Sequence, residues 1–366
     1  MFCKAFNKAL VIEPGKTLAV CCSDVTRMLK TNLSEITDLN NFFSQGEAYT
    51  SIRNQIKNSS CVTEFDPCMA CHRSKDGFST EMDLMNEHRF KNSDNSIDLK
   101  FLEVTTSNIC KQSCVMCGSK YSSTHAKINN HPGAISFLSP QELEMIYDVL
   151  PNLDFITLKG GEPFADQNNL KILKKIFEVN KNIKNISIIS NGQNISKSFK
   201  EILSKFSESQ IKLSFSIDGV DKLYEWQRGS QYSSTVDTIN SFHKDTGLTY
   251  VIINTITAFT FPSILESFKR HLEDLKGVRY YTSNNIVWSP AWQSPSLYSQ
   301  ETIDEIVQPI LDFQSSEIGW NRNGLESIRS YGDSSQIESF KRDLEKWNQI
   351  RKIKIEEFVP ELKLIQ

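Results

Sequence analysis

The chain has 366 residues and a formal net charge of −3, from 41 basic and 44 acidic residues. That length suits one large domain with a smaller one beside it, and a near-neutral balance without a long Lys/Arg run argues against nucleic-acid binding by charge. No apolar stretch has the length of a membrane span, and the opening MFCKAFNKALVIEPGK lacks the apolar segment and cleavage site of a secretory signal, so a cytoplasmic, reducing compartment with few disulfides is expected.

The first 95 residues show little long-range periodicity and read as a small irregular module. Within it, the EPG turn and the run KTLAV read as a hairpin that delivers Cys21, and CMAC (68–71) is a compact chelating corner. The polar stretch FKNSDNSID (90–98) reads as a linker. A strand is expected over 99–106, running into the cysteine loop. SPQELEMIYDVL (139–150) is a helix opened by a capping box, with Ser139 as N-cap, Pro140 at the first helical position and Glu142 at N3. Further strands are expected at 154–158, 186–192, 211–219, 248–257 and 278–288. Between them helices are expected at 170–179, 196–206, 235–244 and 264–275. Six strands alternating with helices imply βαβ units and a parallel sheet. Apolar strand interiors such as FITL and YVII suggest strands covered on both faces. Residues 298–366 read as two or three helices, with Ile303, Ile306, Val307, Ile310 and Leu311 on one stripe.

Nine cysteines in a reducing compartment need an explanation, and their distribution supplies one. Six lie in the first 71 residues, three are Cys110, Cys114 and Cys117, and none follows. Inert thiols would be scattered, whereas clusters suggest metal or iron–sulfur ligation. A closed zinc site wants four ligands, commonly as two pairs. Three thiols in CKQSCVMCG, with no fourth close behind, suit a centre that leaves one position open. Chemistry-bearing stretches recur at the C-terminal ends of the expected strands: the cysteine loop, GGEP (160–163), SNG (190–192) and SIDG (216–219). Parallel α/β folds gather their active sites at that edge.

Cys110-x3-Cys114-x2-Cys117 after the first of these strands, with Gly160-Gly161-Glu162-Pro163 after the second, resembles the radical S-adenosylmethionine superfamily over roughly 99–290. The resemblance implies a partial (β/α)6 barrel over 96–295 and a [4Fe–4S] cluster held by the three thiolates. S-adenosylmethionine would chelate the open iron, and an electron delivered by a flavodoxin or ferredoxin would cleave it to a 5′-deoxyadenosyl radical that takes hydrogen from the substrate. By the same resemblance, the GGEP backbone meets the methionyl amine with Glu162 in support. Ser190 and Asn191 stand at the third strand end, Ser216 and Asp218 meet the ribose or carboxylate, and Arg228 pairs with the carboxylate. The residue before the third cysteine is often aromatic in the superfamily. Met116 stands there in this chain, and a thioether also packs on an adenine face.

The N-terminal cysteines are similar to the auxiliary-cluster modules called SPASM or twitch domains, placed before the barrel rather than after it. Cys3, Cys21, Cys68 and Cys71 are the best ligand set, with Cys22 and Cys61 as alternates, and a four-cysteine zinc site fits the same spacing. The plainer readings stand beside these. GGEP alone suits a simple turn, Asp218 a cap, Arg228 a surface arginine. Asn254 suits either a cofactor contact or a satisfied core amide, and Trp288 to Trp292 suits either the wall of a substrate pocket or, better, an aromatic plug in the core. His72, His88, His125 and His131 suit surface or supporting roles. Taken together, the expectation is an α/β radical enzyme with an auxiliary module at 1–95 and a helical segment at 296–366. It would act on a peptide, a sugar or another small polar metabolite and oxidise it through the second cluster. A non-catalytic iron–sulfur or zinc scaffold and an RNA-modifying enzyme are the competing classes.

Overall fold

The computed structural model describes residues 5–21, 28–58, 94–313, 318–319 and 322–365. Among these residues the strands are β1 (Ala9–Ile12), β2 (Leu18–Ala19), β3 (Phe101–Thr105), β4 (Phe155–Lys159), β5 (Asn185–Ser190), β6 (Ile211–Ser216), β7 (Tyr250–Ile256), β8 (Val278–Ile286) and β9 (Ile318–Gly319). They form one open sheet in the order β2-β1-β3-β4-β5-β6-β7-β8-β9, in which every pairing except β1 with β2 is parallel. The six strands from β3 to β8 fall where the sequence placed them, each followed by helical chain, as in a partial (β/α)6 barrel.

Local chemistry sets the helices. The Pro140–Val149 helix begins with the expected capping box: Glu142 N–H donates to Ser139 Oγ at 3.3 Å, and Ser139 N–H donates to Glu142 Oε2 at 2.6 Å. Lys16 then pairs with the same carboxylate at 2.8 Å, tying the first hairpin to that helix. The Gln167–Val179, Lys197–Leu203, Tyr232–Thr246 and Ile264–Asp274 helices complete the layer over the sheet. Their apolar faces meet Leu102, Val104, Ile156, Leu158, Ile186, Ile188, Leu213, Phe215 and Ile252 in one core.

Side chains of a strand alternate between faces, so the other face of the sheet carries the intervening residues. Its polar residues are Glu103, Thr105, Thr157, Lys159, Ser187, Lys212, Ser214, Ser216 and Thr255, and the apolar Phe101, Phe155, Ile189, Val251 and Ile253 stand on the same face. Register sets Glu103 opposite Thr157, Thr157 opposite Ser187 and Ser187 opposite Lys212. Glu103 and Lys159 pair across this face at 2.5 Å. The expectation from YVII holds in β7, where Val251 and Ile253 face inward and Ile252 faces the core, while in β3, β4 and β6 polar residues such as Glu103, Thr157 and Ser214 take inner positions. A filled barrel would place branched aliphatic residues there.

The N-terminal segment also differs from a separate irregular module. The hairpin after EPG is present, but β1 lies parallel to β3 as part of the main sheet. Leu10, Ile12, Leu18, Leu33, Phe43 and Tyr49 share the barrel core. Tyr49 donates to Ala9 O at 2.8 Å, and Arg53 Nε donates to Phe6 O at 3.0 Å, which locks the Glu47–Asn58 helix onto that edge. The apolar run ALVI therefore pairs with a strand some ninety residues later, a contact that local pattern does not reveal. The C-terminal segment forms the Gln300–Asp312, Arg322–Glu326 and Ser334–Arg351 helices. Ile303, Val307 and Ile310 are its buried stripe, packed with Trp226, Phe259, Tyr298 and Trp347 in a second core that also takes in Val115 of the cysteine loop. Among the described residues no helix is long and apolar enough to cross a membrane.

Candidate active site

The loop that follows β3 brings Cys110, Cys114 and Cys117 to the mouth of the sheet, where all three line one cavity of about 570 Å³. Gly160 and Gly161 at the end of β4, Asn191 after β5, Ser216 at the end of β6, Arg228 and Thr255 complete its wall, and Met116 lines it beside the thiols. The strand-end motifs thus converge because parallel strands deliver all their C-terminal ends to one edge.

Hydrogen bonds fix the cysteine loop from several sides. Ser123 Oγ and Thr124 Oγ1 donate to Cys110 O at 2.9 and 2.8 Å, and Ser123 Oγ accepts from Cys110 N–H at 3.1 Å. Ser122 Oγ donates to Gln112 O, and Gln112 Nε2 reaches Ser230 Oγ at 2.7 Å and Tyr224 Oη at 3.2 Å. Val115 N–H donates to Gln227 O at 2.9 Å. Asn191 Nδ2 approaches Cys110 Sγ at 3.5 Å, and Arg228 Nη1 approaches Cys114 Sγ at 3.7 Å, so donors point at two of the three sulfurs.

The two glycines serve this loop directly. Gly160 has φ +148°, a conformation that disfavours side chains, and a Cβ on it would stand 2.7 Å from Ser107 O. A Cβ on Gly161 would stand 2.4 Å from Ile109 O and 2.5 Å from Asn108 C. Gly161 N–H donates to Ser107 O at 3.0 Å, and Glu162 N–H donates to Ile109 O at 2.7 Å. The motif packs its backbone against the start of the cysteine loop as well as against the cavity.

Four of the expected cofactor residues lie behind the cavity wall rather than on it. Glu162 is buried and accepts from Ser190 Oγ at 2.8 Å, Asn191 N–H at 2.7 Å and Phe164 N–H at 3.0 Å. It ties the ends of β4 and β5 together and sets Asn191 in place. Burial pushes this carboxyl up to about 7, against the pull of its three donors. Ser190 is spent on Glu162 and on Gly192 N–H, which it accepts at 3.0 Å. Pro163 opens the Pro163–Ala165 turn. Asp218 is fully buried and pairs with Arg228 Nη2 at 2.6 Å, while its other oxygen accepts Thr255 N–H at 2.6 Å. Arg228 is the last residue of the Asp221–Arg228 helix, which the sequence reading did not place. Burial opposes its charge, but the Asp218 carboxylate together with Cys114 and Tyr224 outweighs it, so the guanidinium is held above its ordinary range.

Sequence reasoning also passed over Gln112, Lys120, Tyr121 and Thr255, which line the cavity. For Thr255 the signal was available, since β7 alternates and Ile253 and Thr255 are its less buried positions near the end. Asn254, one residue out of phase, is buried and donates to Ile217 O at 3.1 Å, the role of a core amide. Trp288 is exposed and Trp292 packs at the edge of the second core. His125 is buried 5.5 Å from the Trp347 ring, and His131 is exposed. Cys3, Cys22, Cys61, Cys68, Cys71, His72 and His88 lie outside the described residues. Cys21 is half-buried against the main core just after β2.

Burial and the neighbouring Cys114 thiol push Cys110 and Cys117 up to about 12. Burial also raises Cys114, with Arg228 opposing it. Three crowded thiols that resist ionisation are poor lone nucleophiles. A bound metal reverses this by taking the protons' place. Among the described residues no three His, Cys, Asp or Glu side chains gather as ligands of a single ion. The all-thiol donor set around a cavity fits three corners of an iron–sulfur cluster.

The Radical SAM superfamily matches residues 104–286, half of the chain. No curated protein sequence matches the chain. Among solved structures, native anSMEcpe with bound AdoMet is 19% identical over 58% of this chain and 59% of its own, with a TM-score of 0.44. Streptococcus suis SuiB bound to S-adenosylmethionine is 16% identical over 76% and 61%, with a TM-score of 0.45. A radical SAM methyltransferase from Sphaerobacter thermophilus is 16% identical over 63% and 68%, with a TM-score of 0.39. The chain spans less than two thirds of the length of the first two. From the end of β3 to the end of β8, with its three cysteines at the mouth of the sheet, this chain belongs to the radical SAM superfamily.

Proposed function

We propose that this chain is an enzyme that binds a [4Fe–4S] cluster through Cys110, Cys114 and Cys117 and S-adenosylmethionine in the adjoining cavity. The observation that carries the reading is the shared cavity itself, lined by the three thiols together with Gly160, Gly161, Asn191, Ser216, Arg228 and Thr255. When bound, the cluster supplies the electron that cleaves the sulfonium reductively and so starts hydrogen abstraction from a substrate. The chain's own residues do the rest. Gly160 and Gly161 present bare backbone to the methionyl end, and Asn191, Ser216 and Thr255 offer polar groups to the same ligand. Met116 gives the adenine a soft apolar contact, and Gln227 Nε2 at 3.5 Å from its Sδ holds the thioether in place. Glu162 and Asp218 act one layer back, by orienting Asn191 and Arg228.

The polar part of the inner face supports a peptide or a small polar metabolite as substrate, because Glu103, Thr157, Lys159, Ser187 and Lys212 place hydrogen-bonding groups there beside the apolar Ile189, Val251 and Ile253. Oxidation of the substrate radical through a second cluster held by Cys3, Cys21, Cys68 and Cys71 belongs to the same proposal, with a flavodoxin or ferredoxin as electron donor in the cytoplasm. The test is anaerobic reconstitution with iron and sulfide, an iron count, then dithionite and S-adenosylmethionine. About eight irons with 5′-deoxyadenosine supports both clusters, and about four with activity removes the second. Well-loaded protein that neither binds nor cleaves the cofactor leaves a scaffold and ends the enzyme reading.

A further inference from the structure

Arg351 closes the Ser334–Arg351 helix, far outside the segment that matches the superfamily. Its side chain nevertheless ends on the cysteine loop. Nη1 donates to Ser113 Oγ at 2.9 Å, Nη2 to Ser113 O at 2.5 Å and Nε to Trp226 O at 2.9 Å. The guanidinium lies over the Trp347 ring, 4.8 Å from its centroid. Ser113 is buried, as are Trp226 and Trp347, so these carbonyls have little access to water as an alternative donor. Three donors in a fixed plane are what a guanidinium offers and an ammonium does not. The corner is braced further by Gln293, whose Nε2 reaches Val115 O at 3.4 Å and Asp343 Oδ2 at 3.0 Å. Trp226 Nε1, in turn, donates to Asn348 Oδ1 at 2.8 Å, one turn before Arg351. Among the described residues no carboxylate forms an ion pair with Arg351, so its charge stands beside the residue that precedes Cys114.

We propose that Arg351 is a positioning residue for the cluster, holding the Cys114 corner in shape and placing a positive charge beside it, so that the C-terminal helix is part of the redox site. The inference rests on the cluster reading above. A fixed positive charge favours the reduced, more negative state of a cluster, and a lost brace behind a ligand weakens the hold on the metal, typically about 10- to 100-fold.

The test uses the full chain, anaerobically reconstituted, with Arg351→Met and Arg351→Lys beside it. Two quantities are read: the midpoint potential from an EPR-monitored titration, and the rate of iron release to a chelator. Arg351→Met is expected to release iron about tenfold faster or more and to shift the midpoint to more negative potential. Arg351→Lys keeps the charge and loses the fork, so its potential returns toward the parent value while iron release stays fast. If Arg351→Met does not fold, Arg351→Lys decides through iron release alone, with fast release in support. Parent-like potential and release in every variant that folds overturns the inference and leaves the enzyme reading intact. A parent chain that takes up no cluster overturns both.

Discussion

Replacing Asp218 with Asn tests the electrostatic logic of the site most directly. The side chain is fully buried, its Oδ2 lies 2.6 Å from Arg228 Nη2, and its Oδ1 accepts Thr255 N–H at 2.6 Å. Asparagine keeps the volume and the acceptor for Thr255, but its Nδ2 takes the place of Oδ2 and turns a donor toward Arg228, so the change removes both the charge and the acceptor that Arg228 uses. What remains is a buried Arg228 guanidinium without its counter-ion, an arrangement that costs about 3–5 kcal/mol. The Cys114 sulfur, 3.7 Å from Nη1, still takes one of its donors, which places the expectation near the lower end, about 3 kcal/mol. The assay is urea unfolding of the cluster-free protein followed by the fluorescence of its five tryptophans. With a slope near ~3 kcal/mol per molar, the midpoint falls by about 1 M at constant slope. Pairing Asp218→Asn with Arg228→Gln recovers much of the loss, because the orphaned charge goes with it. Two single losses that simply add in the double variant, within ~0.5 kcal/mol, would refute the coupling on which the account of Arg228 depends.

The remaining predictions concern the loop and its supports. Gly161→Ala forces a Cβ onto the rigid backbone of Asn108 and Ile109 and costs about 1–3 kcal/mol with reduced iron loading. Gly118→Ala, where nothing stands within 4 Å, leaves both unchanged, and equal effects in the two variants would discredit the close-approach argument. Glu162, held near 7 when folded against an ordinary 4.5, binds its proton more tightly in the native state, so its own contribution to stability is full below about pH 4.5 and is lost as pH rises through 7. The loss amounts to about 3 kcal/mol for this group in the cluster-free chain, and Glu162→Gln flattens that part of the pH–stability curve measured by denaturant titration. Serine at Cys110, Cys114 or Cys117 removes one cluster corner each, and 5′-deoxyadenosine formation falls to background in all three. An active single variant would take that residue out of the ligand set.

The alternation of strands and helices was readable because each element is local. Ser139, Pro140 and Glu142 announce their own helix start, and runs such as FITL and ISII announce their strands. The cysteine spacing and the paired glycines were readable for the same reason. Long-range contacts were not. ALVI pairs with a strand that begins at Phe101, and nothing in its four residues says so. The short Asp221–Arg228 helix lacks a side-chain cap and was passed over, although it carries the arginine of the site. Asn254 and Thr255 were separated only by the phase of β7, which register with β6 and β8 fixes.

The sequence by itself determined the parallel α/β order, the three thiols and the glycines, because these depend on short spacings and on which residues tolerate close backbone approach. Only the tertiary structure decided who faces the cavity and who stands behind it. Glu162 and Asp218 look like cofactor ligands as letters, yet burial turns each into a partner for a neighbour: Asn191 in one case, Arg228 in the other. The same holds for Arg351, which reaches Ser113 across 238 positions. A buried polar group must find its partner wherever the fold brings one near, and that choice is made in space.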